Sequence, residues 1–281
     1  SSKRPGRWVG EAHWPSGDIR MIALNLLYGK LSFNPDESSR EVLTIQSPLS
    51  VGLFAGKWCS YSESTDLPSD QREEDGGALV FDTPALEEEI EILGAPCVEL
   101  DVSSDKPIAT VAARLTDVAP DGRATRVTYG LINITHRQGH EAPAELIPGQ
   151  RYRLKVDLNY VAQTFRVGHQ IRLSISSSYW PLAWPPPEPA RLKIWLYSSH
   201  LDLPQRQPKQ TDLHLPDLGK PQSPPPMPTT MLAPPHREWK VTHNLATNLV
   251  SLRITNNDPL YRINPINWTI RKDVTENYSY Q

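Results

Sequence analysis

Glu89-Ile90-Glu91-Ile92-Leu93, a break at Gly94-Ala95-Pro96, and then Cys97-Val98-Glu99-Leu100-Asp101-Val102 decide the fold. Apolar and polar residues alternate on both sides of the break. A period of two sends successive side chains to opposite faces, so each run reads as a strand with one buried and one wet face. The same pattern recurs outward from this point. Residues 109–118 and 126–135 form two β stretches joined by Asp117-Val118-Ala119-Pro120-Asp121-Gly122-Arg123, whose Asp-Gly pair supplies hairpin chemistry. Tyr152-Arg153-Leu154-Lys155-Val156-Asp157-Leu158 and Gln170-Ile171-Arg172-Leu173-Ser174-Ile175-Ser176 alternate after the turns Pro148-Gly149-Gln150 and Val167-Gly168-His169. Leu86-Glu87-Glu88-Glu89 could open a helix, but the alternation after it favours a strand. Many short strands separated by turn signals predict an all-β chain, and specifically a two-sheet jelly-roll β-sandwich.

Composition sets the limits. The 281 residues include 28 Pro and 8 Trp, with 29 basic against 32 acidic side chains and a net charge of −3. That balance argues against a nucleic-acid partner, which needs a basic face to replace counterions. Cys59 and Cys97 cannot make a disulfide framework and read as ordinary thiols. The longest apolar run, 21–27, is broken by Asn25 and far short of the roughly 20 residues a membrane-spanning helix needs. Ser1-Ser2-Lys3-Arg4-Pro5-Gly6 carries no signal-like core, so the chain reads as a processed form or an excised fragment, with a cytoplasmic location. The expected organisation is a sandwich over 1–203, with a long loop at 53–77. A Pro-rich extended strap follows over 204–238, too poor in donors to pair, and strands over 239–281 complete the same domain.

Few residues carry recognisable chemistry. No Gly-x-Ser-x-Gly elbow, phosphate loop or dinucleotide fingerprint occurs. His136 and His140 have a metal-like spacing but also suit an exposed turn, and no further ligand is recognisable. Asp70, Glu73, Glu74 and Asp75 suit either a calcium loop or a solvated loop with a buried ion pair at Asp70 or Arg72. Ser176-Ser177-Ser178 lacks a recognisable base and reads as a strand end. Tyr179, Trp180, Trp184 and Trp195 suit either a core or a sugar-stacking platform. Asn133-Ile134-Thr135, Asn267-Trp268-Thr269 and Asn277-Tyr278-Ser279 fit the N-glycosylation pattern. No metal site and no cofactor is expected.

The motifs stand in a telling order. Asp70-Gln71-Arg72-Glu73 comes first, then Val102-Ser103-Ser104-Asp105, then Leu115-Thr116-Asp117-Val118-Ala119-Pro120-Asp121-Gly122-Arg123-Ala124. Leu146-Ile147-Pro148-Gly149-Gln150 and 168–178 follow, and Trp8 and His13-Trp14-Pro15 stand upstream. Over about residues 7–200 this order resembles the C-terminal domain of the X-Pro dipeptidyl-peptidase family, shared with the CocE/NonD acyl hydrolases. The resemblance implies a galactose-binding-like jelly roll without catalytic residues of its own. It implies an α/β-hydrolase catalytic domain of the same parent chain as partner, carrying the serine, Asp and His. The parent would cleave esters or amides, with dipeptidyl-peptidase-type activity among the options. On this reading Leu53 and Phe54, with Tyr179 and Trp180, are candidates for a pocket wall or domain interface. Asp70, Arg72, Asp121 and Gly122 are structural pins, and homo-oligomerisation stays open. The rival expectation is a carbohydrate-binding jelly-roll module, which rests on fold analogy.

Overall fold

The computed structural model describes residues 6–60 and 66–280. The expected readings at 1–5 and at 61–65 of the long loop lie outside the described residues. The chain separates into two compact units, one ending at Leu215 and one running from Pro216 onward.

The first unit opens with β1 (Arg20–Leu27), β2 (Lys30–Ser32) and β3 (Val42–Ile45). A one-turn helix, α1 (Arg72–Asp75), interrupts the expected loop and precedes β4 (Leu79–Asp82). The strand pair that opened the sequence reading is β5 (Ile90–Gly94) and β6 (Cys97–Ser104). β7 (Thr110–Val118) and β8 (Ala124–Asn133) form the expected hairpin. β9 (Arg151–Asp157), β10 (Val161–Phe165), β11 (Gln170–Ser176) and β12 (Leu192–Arg206) complete the unit. The glutamates at 87–89 start no helix.

These strands join in one hydrogen-bonded path, β10-β5-β12-β1-β2-β4-β11-β7-β8, with β3 and β6 also on β12 and β9 on β6. The result is the all-β sandwich that the alternation predicts. Its core takes every second residue: Val98, Leu100 and Val102 of β6, Val111, Ala113 and Leu115 of β7, and Ile171, Leu173 and Ile175 of β11. Burial of that many branched side chains, at roughly 1.5–3 kcal/mol each, is the main favourable contribution to the fold.

β12 departs from expectation. It runs fifteen residues, through the boundary expected at 203. Pro204 faces Met21 of β1 on one side, and on the other it falls between the last β6 pair, Asp202↔Cys97, and the first β5 pair, Gln205↔Ile92. A residue without an N–H belongs at such a gap in a ladder.

The second unit contains β13 (Thr229–Ala233), β14 (His236–Asn244), β15 (Leu249–Asn257), β16 (Leu260–Ile263), β17 (Trp268–Ile270) and β18 (Asp273–Tyr280). They form two three-stranded sheets, β13-β16-β17 and β14-β15-β18. Val250, Leu252 and Ile254 of β15 are buried. The Pro-rich stretch is therefore only partly unpaired. Proline density stops pairing where prolines cluster at 224–226, but Thr229–Ala233 and the start of β14 pair as strands.

Candidate functional site

All nine residues of β7 are buried. One face meets the core, and the other, bearing Ala112, Arg114 and Thr116, is covered by irregular chain. Next to Arg114 in register stand Tyr129 of β8 and Ser174 of β11. A second apolar cluster, Val51, Ala55, Ala112 and Tyr179, lies on this side, with Tyr129, Leu131 and Leu182 against it.

Arg114 is fully buried and organises the cover. Its guanidinium donates to Gln71 Oε1, Glu74 Oε2 and Asp75 Oδ1, each at 3.1 Å. Asp75 also accepts from Arg172 at 2.8 Å and from Ser174 Oγ at 2.7 Å. Arg172 makes a two-pronged pair with Asp82, at 2.7 Å on each side. Burial pushes the Glu74 carboxyl up, against the pull of Arg114 and of two backbone donors. Those donors are the N–H groups of Gly52 and Phe54, at 3.0 and 2.7 Å from Glu74 Oε1. Gln71 Nε2 donates to the Phe54 carbonyl at 3.1 Å. A surface loop is thus gripped through its backbone by side chains that answer to a buried arginine.

Gly52 makes the close approach possible. Its φ is +118°, and a Cβ there would lie 2.2 Å from the Trp180 carbonyl oxygen. With the backbone held, Leu53 and Phe54 remain half-buried at the rim, and Trp58 further along the loop is 78% exposed. Tyr179 and Trp180, the other two candidates for a pocket wall or domain interface, are buried beneath the loop, each 1% exposed. Tyr179 accepts from Arg126 at 2.8 Å, and its hydroxyl is pushed up to about 12 by burial.

The remaining sequence candidates fall into place around this site. Asp70 and Arg72 do bond each other, Nε to both carboxylate oxygens at 3.1 Å, but at the surface. The buried ionic set uses their neighbours Gln71, Glu74 and Asp75. Asp121 accepts from the Arg123 N–H at 3.0 Å and Gly122 takes φ +82°, so both serve the β7–β8 turn. The acidic cluster considered for calcium is tied up by arginines: Glu74 and Asp75 by Arg114, and Asp75 also by Arg172. Ser177 and Ser47 exchange bonds, each Oγ accepting the other's N–H at 2.8 and 3.0 Å, and Ser176 Oγ donates to the Ser178 carbonyl. These serines close a strand end and bond no histidine. The aromatics make no common platform, because Tyr179 and Trp180 are buried and Arg151 sits 4.8 Å over the Trp195 ring. Asn133 caps a short 3-10 turn by accepting from Thr135 N–H and hydroxyl.

Arg114 and Arg172 escaped the sequence reading. The available signal was an arginine inside the apolar run Val111-Ala112-Ala113-Arg114-Leu115, since a charge in a strand flanked by core residues demands a buried counter-charge.

Residues 2–214 match the family model described as the X-Pro dipeptidyl-peptidase C-terminal non-catalytic domain. The chain belongs to this family. Among relatives of this X-Pro dipeptidyl-peptidase C-terminal domain is the cocaine esterase of Rhodococcus sp. (strain MB1 Bresler). It is 31% identical over 116 residues, which are 41% of this chain and 20% of the esterase. The fold is similar to that of an aminopeptidase from the marine sediment archaeon Thaumarchaeota archaeon, with TM-score 0.60 and 20% identity over 70% of this chain and 38% of that one. It is also similar to an α-amino acid ester hydrolase, with TM-score 0.55 and 24% identity over 66% and 36% of the two chains. The chain spans about a fifth of the esterase's length and just over a third of these two enzymes. Among the described residues no helix is long and apolar enough to cross a membrane.

Proposed function

We propose that this domain packs on an α/β-hydrolase catalytic domain of the same protein and that its gripped loop, through Leu53 and Phe54, forms one wall of the substrate pocket. The parent would cleave esters or amides through an acyl-enzyme, and this domain would supply shape rather than a nucleophile. The observation that carries the reading is the double hold of Glu74 on the Gly52 and Phe54 N–H groups. Fixing loop backbone from the sheet side is what a wall requires, because positional errors of about 1 Å in a substrate-positioning element cost rate.

The test is Phe54→Ala in the intact hydrolase, assayed across esters of different acyl size. The expected outcome is an altered order of kcat/KM among the esters at an unchanged Tm. Equal kcat/KM values for every ester in variant and parent would remove Phe54 from the wall. The isolated 281-residue chain should not turn over esters; turnover abolished by a serine-directed inhibitor would overturn the non-catalytic role proposed for it.

A further inference from the structure

The ladder between β6 and β12 carries a separate group of side chains. Its register places Glu99 opposite His200 and Cys97 opposite Asp202. The intervening Val98 and Leu201 enter the core, so these four residues share the other face. All four are metal-ligand types, and they form a two-by-two block on adjacent strands. Ligand atoms of Glu99, His200 and Asp202 lie within 4.8 Å of one another, and all three residues are half-buried. Among the described residues this is the one group of three or more such side chains brought so close. His200 Nε2 stands 3.4 Å from Asp202 Oδ2. Cys97 is buried beside them but outside this group, its thiol bonded to Asp157 of β9.

We propose that Glu99, His200 and Asp202 bind a borderline divalent cation of the zinc type, with water completing its shell, stapling β6 to β12. The donor set selects the ion. One imidazole with two carboxylates suits zinc and its first-row neighbours, whereas calcium takes six to eight oxygens. The location suits a staple: the β6–β12 register shifts between Trp195 and His200, and the cation would bind at the far side of that irregularity. Arg153 is the competitor. It donates to Glu99 Oε2 at 2.6 and 3.1 Å, and it also donates to the Ser198 carbonyl. Its removal should free Glu99 for the ion.

The experiment titrates the 281-residue protein with Zn²⁺ by calorimetry and with Co²⁺ by visible absorption, and records Tm with each ion and with Ca²⁺. One Zn²⁺ per chain and a higher Tm are expected, because a ligand that binds the folded state stabilises it by mass action. His200→Asn and Asp202→Asn should each weaken Zn²⁺ by at least ~10-fold, the loss already seen on removing outer partners of metal ligands. Arg153→Met should tighten it. His136→Asn/His140→Asn, which removes a histidine pair with Nδ1 atoms 3.1 Å apart, should leave affinity unchanged. The proposal is overturned if Zn²⁺ fails to bind or if Ca²⁺ alone raises Tm. It is equally overturned if His200→Asn binds like the parent or the His136/His140 variant loses the site.

Discussion

A guanidinium with no access to water is stable only if carboxylates and amides meet it, and Arg114 finds three such partners on the chain segment 71–75. Breaking a buried pair from one side leaves the other charge unpaired, which costs about 3–5 kcal/mol. Arg114→Met should therefore lower stability by about that much in urea unfolding. Asp70→Ala, which removes a surface pair and an N–H acceptor, should cost no more than about 1 kcal/mol. Equal losses from the two would contradict this division between a buried and a surface pair. A second residue-scale prediction concerns acid. Burial raises the Glu11 carboxyl, but bonds from Lys209, Ser16 and Arg206 outweigh it and hold the group at about 2, against an ordinary 4.5. A carboxyl lowered on folding contributes stability that is fully present above its unfolded value and lost as pH falls from about 4.5 to about 2. Glu11→Gln should flatten the pH dependence of unfolding free energy across that window and leave its slope near neutrality unchanged.

At the scale of elements, two glycines with positive φ separate strain from space. Gly122 in the β7–β8 turn has nothing near its missing Cβ, so Gly122→Ala should cost about 1 kcal/mol from the left-handed backbone alone. Gly52 adds a collision with the Trp180 carbonyl, so Gly52→Ala should cost more than about 3 kcal/mol and release the loop. Protease cleavage between 53 and 60 that is no faster in Gly52→Ala than in the parent would count against the grip. What could be read in advance follows the same physics. β11 and β9 were legible because their alternation is unbroken and a glycine turn precedes each. β12 was obscured by Pro204 and by the polar run Tyr197-Ser198-Ser199-His200, where the strand changes partners and register. The backbone grip on the loop at 53–54 was not legible, because nothing in its own residues announces it. The burial of Tyr179 and Trp180 depends on chain 130 residues away folding over them, and no local pattern encodes that.

At the scale of the molecule, the strands described beyond Pro216 form two three-stranded sheets of their own. The first unit contains its own apolar core, and its hydrogen-bonded path closes by Arg206. A chain ending at Leu215 should therefore unfold in a single cooperative transition with Tm close to that of the full chain. A molten profile, with exposed-surface dye binding and no calorimetric peak, would show that the sandwich depends on the strands beyond it.

The pairing of β1 with β12 has a consequence in time. Ile22 finds its partner only at Leu203. At roughly 5–20 residues per second, a ribosome needs on the order of 10–40 s to travel that far. For that interval β1 emerges as an edge without its neighbour, and β6 likewise waits for residues 192–202. Long-range pairing of this kind slows folding, because loop closure must precede any gain from contact. The nascent domain is thus most exposed to aggregation just before its longest strand appears, and synthesis of residues 192–206 is the step that ends the exposure.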